Sequence, residues 1–557
     1  MERGGGVWFV AFESQRVAGA GGLGDAVANL SEALSRQGTP VTVFLPSHGV
    51  HKDRGVRERL GLHDAGVSLR GVRIGYDGSL HPYSIGVEEG ECSRVGYRLF
   101  KGLDQTTSKW LDQRPIYGGD EEIYQKMSLM ARGLRGLVDG GGFAPGRAAR
   151  PSVIHIHDWH SIPAGVSAWE RLGRGGRPPA LVFTSHLLGY KRLSWHYMSA
   201  DWSGLAEDRG GHNVWMGGSL SYQRGFKEVW ESLSDGFIEK FGSYEADFVT
   251  SVSRSYLGEV LGFVGRDVGG KSDFVYNGCD WDYQGMMEAA GAALDPERGR
   301  GSAPPTRRDL RRYLLEGALA EHGRRGGFNR DGPLALMTGR FDRQKGVDVL
   351  LAAVPRVVEE IPRSRFLLLL LPGGGDGSYA EEARKAAGAL SENVRIVEGG
   401  SGKPIYRLAY LSADVYVVPS RWEPFGITAL EAMASGDPVA GSSTGGIRET
   451  VVDLLQDRDA GTGILVPPED SAGLARGIVS LLTLMTASEG GGGDPLAIAH
   501  EPLRRALAED PAFGAKLRER CVRRVRENFT WEQSARKMAS CYRRAEGFAE
   551  ARSRAEG

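Results

Sequence analysis

Short apolar runs that do not alternate with polar residues recur along this chain, with helical patterns between them. In the first half they are Val7–Phe12, Val41–Leu45, Val153–Ile156, Leu181–Thr184 and Phe248–Val252. In the second half they are Leu334–Thr338, Phe366–Leu371, Val394–Val397, Val415–Val418, Pro438–Ala440 and Ile464–Val466. A strand that is apolar on both faces needs cover on both faces, and helices between such strands supply it. Two series of this kind predict an α/β chain of two Rossmann-like, doubly wound parallel sheets. The 557 residues suffice for two or more domains. The first domain is expected over 1–300. A linker is expected over 301–332, where Pro296–Thr306 is rich in Gly, Pro and Arg, Arg307–His322 is helical, and Gly323–Pro333 breaks again. The second domain follows over 333–525, and a helix over 526–557 is expected to cross back to the first domain. Gly490–Gly493 reads as a surface loop.

Charge narrows the partners. A formal net charge of −1 lacks the basic surplus that nucleic acid or a membrane surface would call for. Cys92, Cys279, Cys521 and Cys541 have neither metal-ligand spacing nor the density of a disulfide framework, and fit free thiols in a reducing compartment. The start, MERGGGVWFVAFES, is not expected to be a secretory leader, and no apolar run approaches membrane-spanning length. The expectation is a cytoplasmic protein; a homo-oligomer is left open.

The most informative stretch is Val415–Glu431, VYVVPSRWEPFGITALE. A buried strand ends at Pro419-Ser420, a tight loop runs to Gly426, and Ile427, Leu430 and Met433 then share one helix face. Free N–H groups at such a helix start favour an anion. Glu423 and Glu431 bracket the loop, and a pair of acids beside an anion-binding helix end suits a sugar hydroxyl on one side and a phosphate on the other.

Other strand ends carry chemistry too. Gly19–Gly24 fits the pattern GxGxxG, and Gly21-Gly22 lets backbone N–H groups approach a diphosphate. A dinucleotide site would also need an acid at the end of the second strand, which instead reads Leu45-Pro46-Ser47-His48. His155-Ile156-His157-Asp158-Trp159-His160 invites a zinc reading, but no cysteine or further acid completes a ligand set, so no metal is expected. Asp158 is better placed to accept from a sugar hydroxyl. His186, in Phe183-Thr184-Ser185-His186, can bond a hydroxyl in either charge state. Arg340 and Lys345, in RFDRQKG at 340–346, pair a forked clamp with a point charge, as a leaving diphosphate requires. Gly445-Gly446 before a helix make a further anion cradle. Ligands of doubly wound sheets bind at the carboxyl ends of the strands, so the cleft between two such domains is the expected site.

In this order, GGLGD at 21–25, HIHDWH, RFDRQKG and PSRWEPFGITALE resemble the starch and glycogen synthase family of retaining glucosyltransferases, which have the GT-B fold with two domains facing a deep cleft. Phe274–Asp280, FVYNGCD, is similar to the asparagine-glycine segment closing the family's first domain. Glu431 and SHG at 47–49 resemble the archaeal type of glycogen synthase. The resemblance implies transfer of glucose from ADP-glucose or UDP-glucose to the non-reducing end of an α-1,4-glucan, with no cofactor and no metal. It implies that Asp158, His186 and Asn277 hold the transferred glucose and the acceptor end. Arg340 and Lys345 would grip the diphosphate, Glu423 would sit over the oxocarbenium face, and Glu431 would bind the ribose. The backbone around Gly426 and Thr428 would contact sugar and phosphate.

The family's lysine two residues before the glycine pair is Gly19 here. Losing one such charge costs roughly 2.7–4 kcal/mol by analogy with one oxyanion donor. Arg16 is the nearest cation in sequence and the expected substitute. Three alternatives stay open: a related transferase with a small acceptor, of the sucrose- or trehalose-synthase type; a non-catalytic glucan-binding relative; and a dehydrogenase with a nicotinamide cofactor at 19–24, which the missing strand-end acid disfavours.

Overall fold

A computed structural model of the protein describes residues 5–140, 150–174, 177–207, 211–221, 223–295, 305–319, 328, 331–373, 377–400, 402–488, 490 and 494–556. The chain forms two compact units, residues 1–277 with 531–557, and residues 278–530.

In the first unit the strands are β1 (Val7–Val10), β2 (Val41–Pro46), β3 (His63–Ile74), β4 (Leu80–Cys92), β5 (Val95–Gly102), β6 (Val153–His157) and β7 (Ala180–Ser185). A two-stranded ribbon, β8 (Trp215–Met216) and β9 (Ser219–Leu220), stands apart from the sheet, which is completed by β10 (Phe248–Ser251) and β11 (Ser272–Phe274). The nine-stranded order is β11-β10-β7-β6-β1-β2-β5-β4-β3. β1 pairs in parallel with β2 on one side and β6 on the other. The chain thus leaves β1 in one direction and resumes at β6 in the other. Loops beyond β1 and β6 therefore flank the crevice where sheets of this kind take ligands.

The expectation of a purely parallel sheet is corrected at one edge. β4 runs antiparallel to both β5 and β3. Along most of β3 more exposed residues alternate with half-buried ones, so a sheet with one wet face presents no continuous apolar run to recognise.

The terminal helix Trp531–Glu556 belongs to this first unit. Trp531, Ala535, Met538, Tyr542 and Ala545 share one buried cluster with Val7 and Phe9 of β1 and with Val27, Leu30 and Leu34 of the helix Gly22–Arg36. Arg552 is also buried, 3.0 Å from Asp247.

The second unit is a six-stranded parallel sheet of β12 (Leu334–Phe341), β13 (Arg365–Pro372), β14 (Val394–Glu398), β15 (Val415–Val418), β16 (Val439–Ser442) and β17 (Gly463–Val466). Its order is β14-β13-β12-β15-β16-β17, so the direction of winding reverses between β12 and β15.

Two boundaries differ from those expected. The units divide after Asn277 rather than near 300, because the helix Tyr283–Leu294 packs on the helix Lys403–Ser412 of the second unit. The expected linker at 301–332 is structural where it is described. Leu310, Leu314 and Leu315 are buried, Arg307 lies 2.5 Å from Asp437, and Arg311 pairs with Asp414. The rest of that stretch (301–304, 320–327, 329 and 330) and residues 491–493 of the expected glycine loop lie outside the described residues. The expected absence of a membrane-length apolar run is also corrected. The helix Ser471–Ser488 has 18 residues of mean hydropathy 1.2, and 67% of it is buried inside the second unit, where it serves as a core helix.

Candidate active site

In the second unit three loops at adjacent strand ends are laced together. Gly339, near the end of β12, and Gly346, after it, take positive φ, and a side chain at Gly346 would collide with the Pro419 carbonyl. The RFDRQKG turn can therefore lie directly on the end of β15. Gln344 fixes it there: its amide donates to the Trp422 carbonyl at 2.9 Å, and its own carbonyl accepts from Arg421 N–H at 2.9 Å. Arg421 in turn forks onto Asp348 at 2.7 and 2.9 Å. The loop after β16 closes on the same point. Gly446 N–H donates to the Glu423 carbonyl at 2.9 Å, and a side chain at Gly445 would strike that carbonyl.

This lacing puts cation and carboxylate side by side at the switch point. Lys345 Nζ donates to Glu423 Oε2 at 2.6 Å, and Ser420 Oγ donates to the same oxygen at 3.3 Å. Glu423 is 7% exposed, so the pair sits in a poorly solvated place where charge interactions are strong. Arg340 reaches Gln344 Oε1 at 2.9 Å and keeps more than a third of its side chain exposed. Gly426 starts the helix Ile427–Ala434 in the left-handed region, φ 91°, and a Cβ there would collide with Ile447. Thr428 lies in the first turn of that helix. Glu431, one turn on, accepts at Oε2 from Tyr406 (2.9 Å) and Tyr410 (3.3 Å). Burial and the neighbouring carboxylate hold both tyrosines in their neutral donor form. The sequence placed Glu431 but gave no sign of its two tyrosine donors, which lie more than twenty residues away.

The first unit has its own cluster at its own switch point. Beyond β1, Glu13 is buried and accepts from Ala20 N–H at 2.5 Å and from the Tyr117 hydroxyl at 2.9 Å. Burial outweighs these bonds and pushes its carboxyl up to about 7. Gly21 is the residue that caps the following helix Gly22–Arg36. Gly22 opens the helix behind. The expected role of Arg16 is corrected, because its guanidinium forks onto Glu32 at 2.5 and 3.0 Å. At Gly19 a Cβ would collide with the Gln15 amide, which fills the space. An acid shortly after the first strand and just before a glycine loop was the available signal for Glu13.

Beyond β6, Asp158 adopts φ 58°, ψ 168°, a backbone region strained for any residue with a side chain. Its Oδ1 accepts from the N–H groups of His186 (2.6 Å) and Leu187 (3.2 Å), tying the β6 loop to the β7 loop. Burial pushes its carboxyl up to about 8. His186 follows β7, half-buried, with burial pressing its imidazole down to about 3. His157 Nδ1 lies 3.1 Å from His186 Nε2. Asn277 is buried three residues beyond β11, at the end of this unit's first segment. His155 and His157 do share one strand face, their rings 4.0 Å apart, but His155 bonds Tyr542 and Thr184. Among the described residues no group of three or more His, Cys, Asp or Glu is arranged to hold a metal ion.

Comparison with known proteins agrees with this architecture. Residues 6–271 match the starch synthase catalytic domain, and residues 320–488 match the glycosyl transferases group 1 family. A glycogen synthase of Thermus thermophilus is 27% identical over 552 residues, covering 97% of this chain and 100% of that protein. Glycogen synthase of Alkalilimnicola ehrlichii is 28% identical over 497 residues, covering 84% and 89%. The solved catalytic domain of starch synthase IV from Arabidopsis thaliana, bound to ADP and acarbose, superposes with a TM-score of 0.68 at 20% identity, covering 98% of this chain and 100% of that one. Sucrose-phosphate synthase from Thermosynechococcus elongatus superposes at 0.53 with 21% identity, covering 97% and 98%. With both sheets, both family matches and relatives aligned nearly end to end, the chain belongs to the starch and glycogen synthase family of GT-B glycosyltransferases.

Proposed function

We propose that this enzyme is a glycogen or starch synthase that moves glucose from ADP-glucose or UDP-glucose to the non-reducing end of an α-1,4-glucan, retaining the anomeric configuration. The observation that carries this reading is the Lys345–Glu423 pair at the switch point of the second sheet, with Arg340 at the end of β12 bonded to Gln344 of the Lys345 turn. Arg340 and Lys345 are assigned to the diphosphate. They supply the positive charge that its departure needs, so no step calls for a divalent metal or a cofactor. Glu423 is assigned to the face of the sugar where positive charge develops. Gly426, Thr428, Gly445 and Gly446 bring backbone close to sugar and phosphate, and Glu431 takes the ribose hydroxyls. In the first unit Asp158, His186 and Asn277 are assigned to hydroxyls of the transferred glucose and the acceptor.

The bond from the anomeric carbon to the diphosphate oxygen breaks, and a bond from that carbon to the acceptor O4 forms on the same face. The acceptor proton passes to the departing diphosphate. We assign the enzyme to the cytoplasm, where its four free thiols persist.

The test is nucleoside diphosphate release with glycogen as acceptor, using each donor separately and no added metal. Release with chain extension supports the reading, and the faster donor identifies the nucleotide. Glycogen binding without release from either donor overturns it in favour of a binding protein, and transfer to a small sugar alone overturns the polymer acceptor.

A further inference from the structure

His157 is buried, and the proposed transfer gives it no task. Its ring is packed between aromatic neighbours: Phe9 at 4.5 Å, His155 at 4.0 Å and His186 at 5.4 Å between centroids. Nδ1 faces His186 Nε2 at 3.1 Å. Nε2 is buried and has no hydrogen-bond partner among the described residues. Burial depresses His155, His157 and His186 alike, so each ring is neutral and carries one N–H.

Two arrangements satisfy the contact between the two rings. In one, His186 donates and His157 holds its hydrogen on Nε2, leaving a buried donor that meets nothing. In the other, His157 donates from Nδ1 and leaves only a bare lone pair at Nε2. Orphaned buried N–H groups are the rarer defect, and a lone pair needs no room for a hydrogen. We infer that His157 is a positioning residue that fixes the tautomer of His186: it donates Nδ1–H to His186 Nε2, so that His186 carries its own hydrogen on Nδ1 and meets its ligand as a donor. A sugar hydroxyl can donate or accept, so a fixed donor sets the direction in which that hydroxyl points. This inference rests on the assignment of His186 to a sugar hydroxyl.

The test is ring-nitrogen NMR of the full chain labelled with 15N-histidine, without substrate, at pH 7.5. Signals of the two residues are assigned by their loss in His186→Gln and His157→Asn. The expected result is hydrogen on Nδ1 and a bare Nε2 in both rings. Hydrogen on Nε2 of His186 in the unaltered protein overturns the inference, whatever the variants do. In kinetics, Asn places an amide donor near the position of Nδ1, so His157→Asn is expected to keep kcat within about threefold. His157→Leu is expected to lower kcat about tenfold at unchanged donor KM, the loss of one hydrogen bond. Equal losses in both variants would assign His157 to packing alone. The tautomer is read without turnover, so failure of the synthase reading and failure of this one are separate results.

Discussion

The ammonium of Lys345 and the carboxylate of Glu423 are 2.6 Å apart, though 78 residues separate them in sequence. Each answers the other's charge where little water reaches. The pair also orients Glu423, since Ser420 shares the same oxygen. Replacing Glu423 by Ala is expected to lower kcat at least about a hundredfold, the scale of losing one preorganised electrostatic group. The nucleoside diphosphate Kd, measured by calorimetry, is expected to stay within about threefold. Normal turnover in the variant would refute the assigned role.

Lys345→Met removes the cation and leaves Glu423 without its closest partner. Donor kcat/KM is expected to fall more than a hundredfold with both nucleotides. Lys345→Arg should restore little, because a planar fork does not replace a compact ammonium in a closed corner. Steady-state kinetics with both donors decides it, and full recovery in the arginine variant would sink the idea.

The Tyr406 and Tyr410 hydroxyls hold one oxygen of Glu431. Tyr406→Phe is expected to raise the donor KM about tenfold to a hundredfold, the value of a hydrogen bond to a charged acceptor, with kcat nearly unchanged. A change confined to kcat would mean that Glu431 acts on the chemistry rather than on the nucleotide.

Glu13 makes a prediction in pH. Its folded pKa, about 7, lies above its ordinary value of 4.5, so the folded state holds this proton more tightly than the unfolded chain does. The resulting stability is fully present below about 4.5 and is lost as pH rises through 7. The shift corresponds to about 3 kcal/mol. In Glu13→Gln that slope should be absent. Thermal unfolding of the first unit's transition at pH 5, 6, 7 and 8 should show the variant gaining on the unaltered protein as pH rises. Parallel curves would mean that Glu13 stays ionised across the range.

Much of the frame was legible in advance. Each apolar run named above falls on a strand, because a strand covered on both faces must be apolar throughout. The loops carrying Lys345, Glu423 and Gly446 were legible as strand-end loops, and the sheet order sets the first two at its switch point. What escaped was of two kinds. Strand β3 has one wet face, and neither β3 nor β4 has a continuous apolar run. Partners distant in sequence were hidden as well: Glu13 against Tyr117, Tyr406 and Tyr410 against Glu431, and Tyr542 against His155. Hydrogen bonds between residues far apart leave no periodic trace. A polar side chain such as Arg307, read as linker, declares itself only when Asp437 is seen beside it.

The first unit is discontinuous in sequence, since its core includes Trp531, Met538 and Tyr542. A ribosome making this chain from its amino end therefore produces β1 to β11 long before the helix that covers them. Until residues 531–557 emerge, His155 has no Tyr542 and buried Asp247 has no Arg552. The second unit carries all its strands within one continuous segment and needs no such wait. The half of the protein synthesised first is thus the half that finishes folding last, and a nonsense codon just after Thr530 would damage residues translated at the very start.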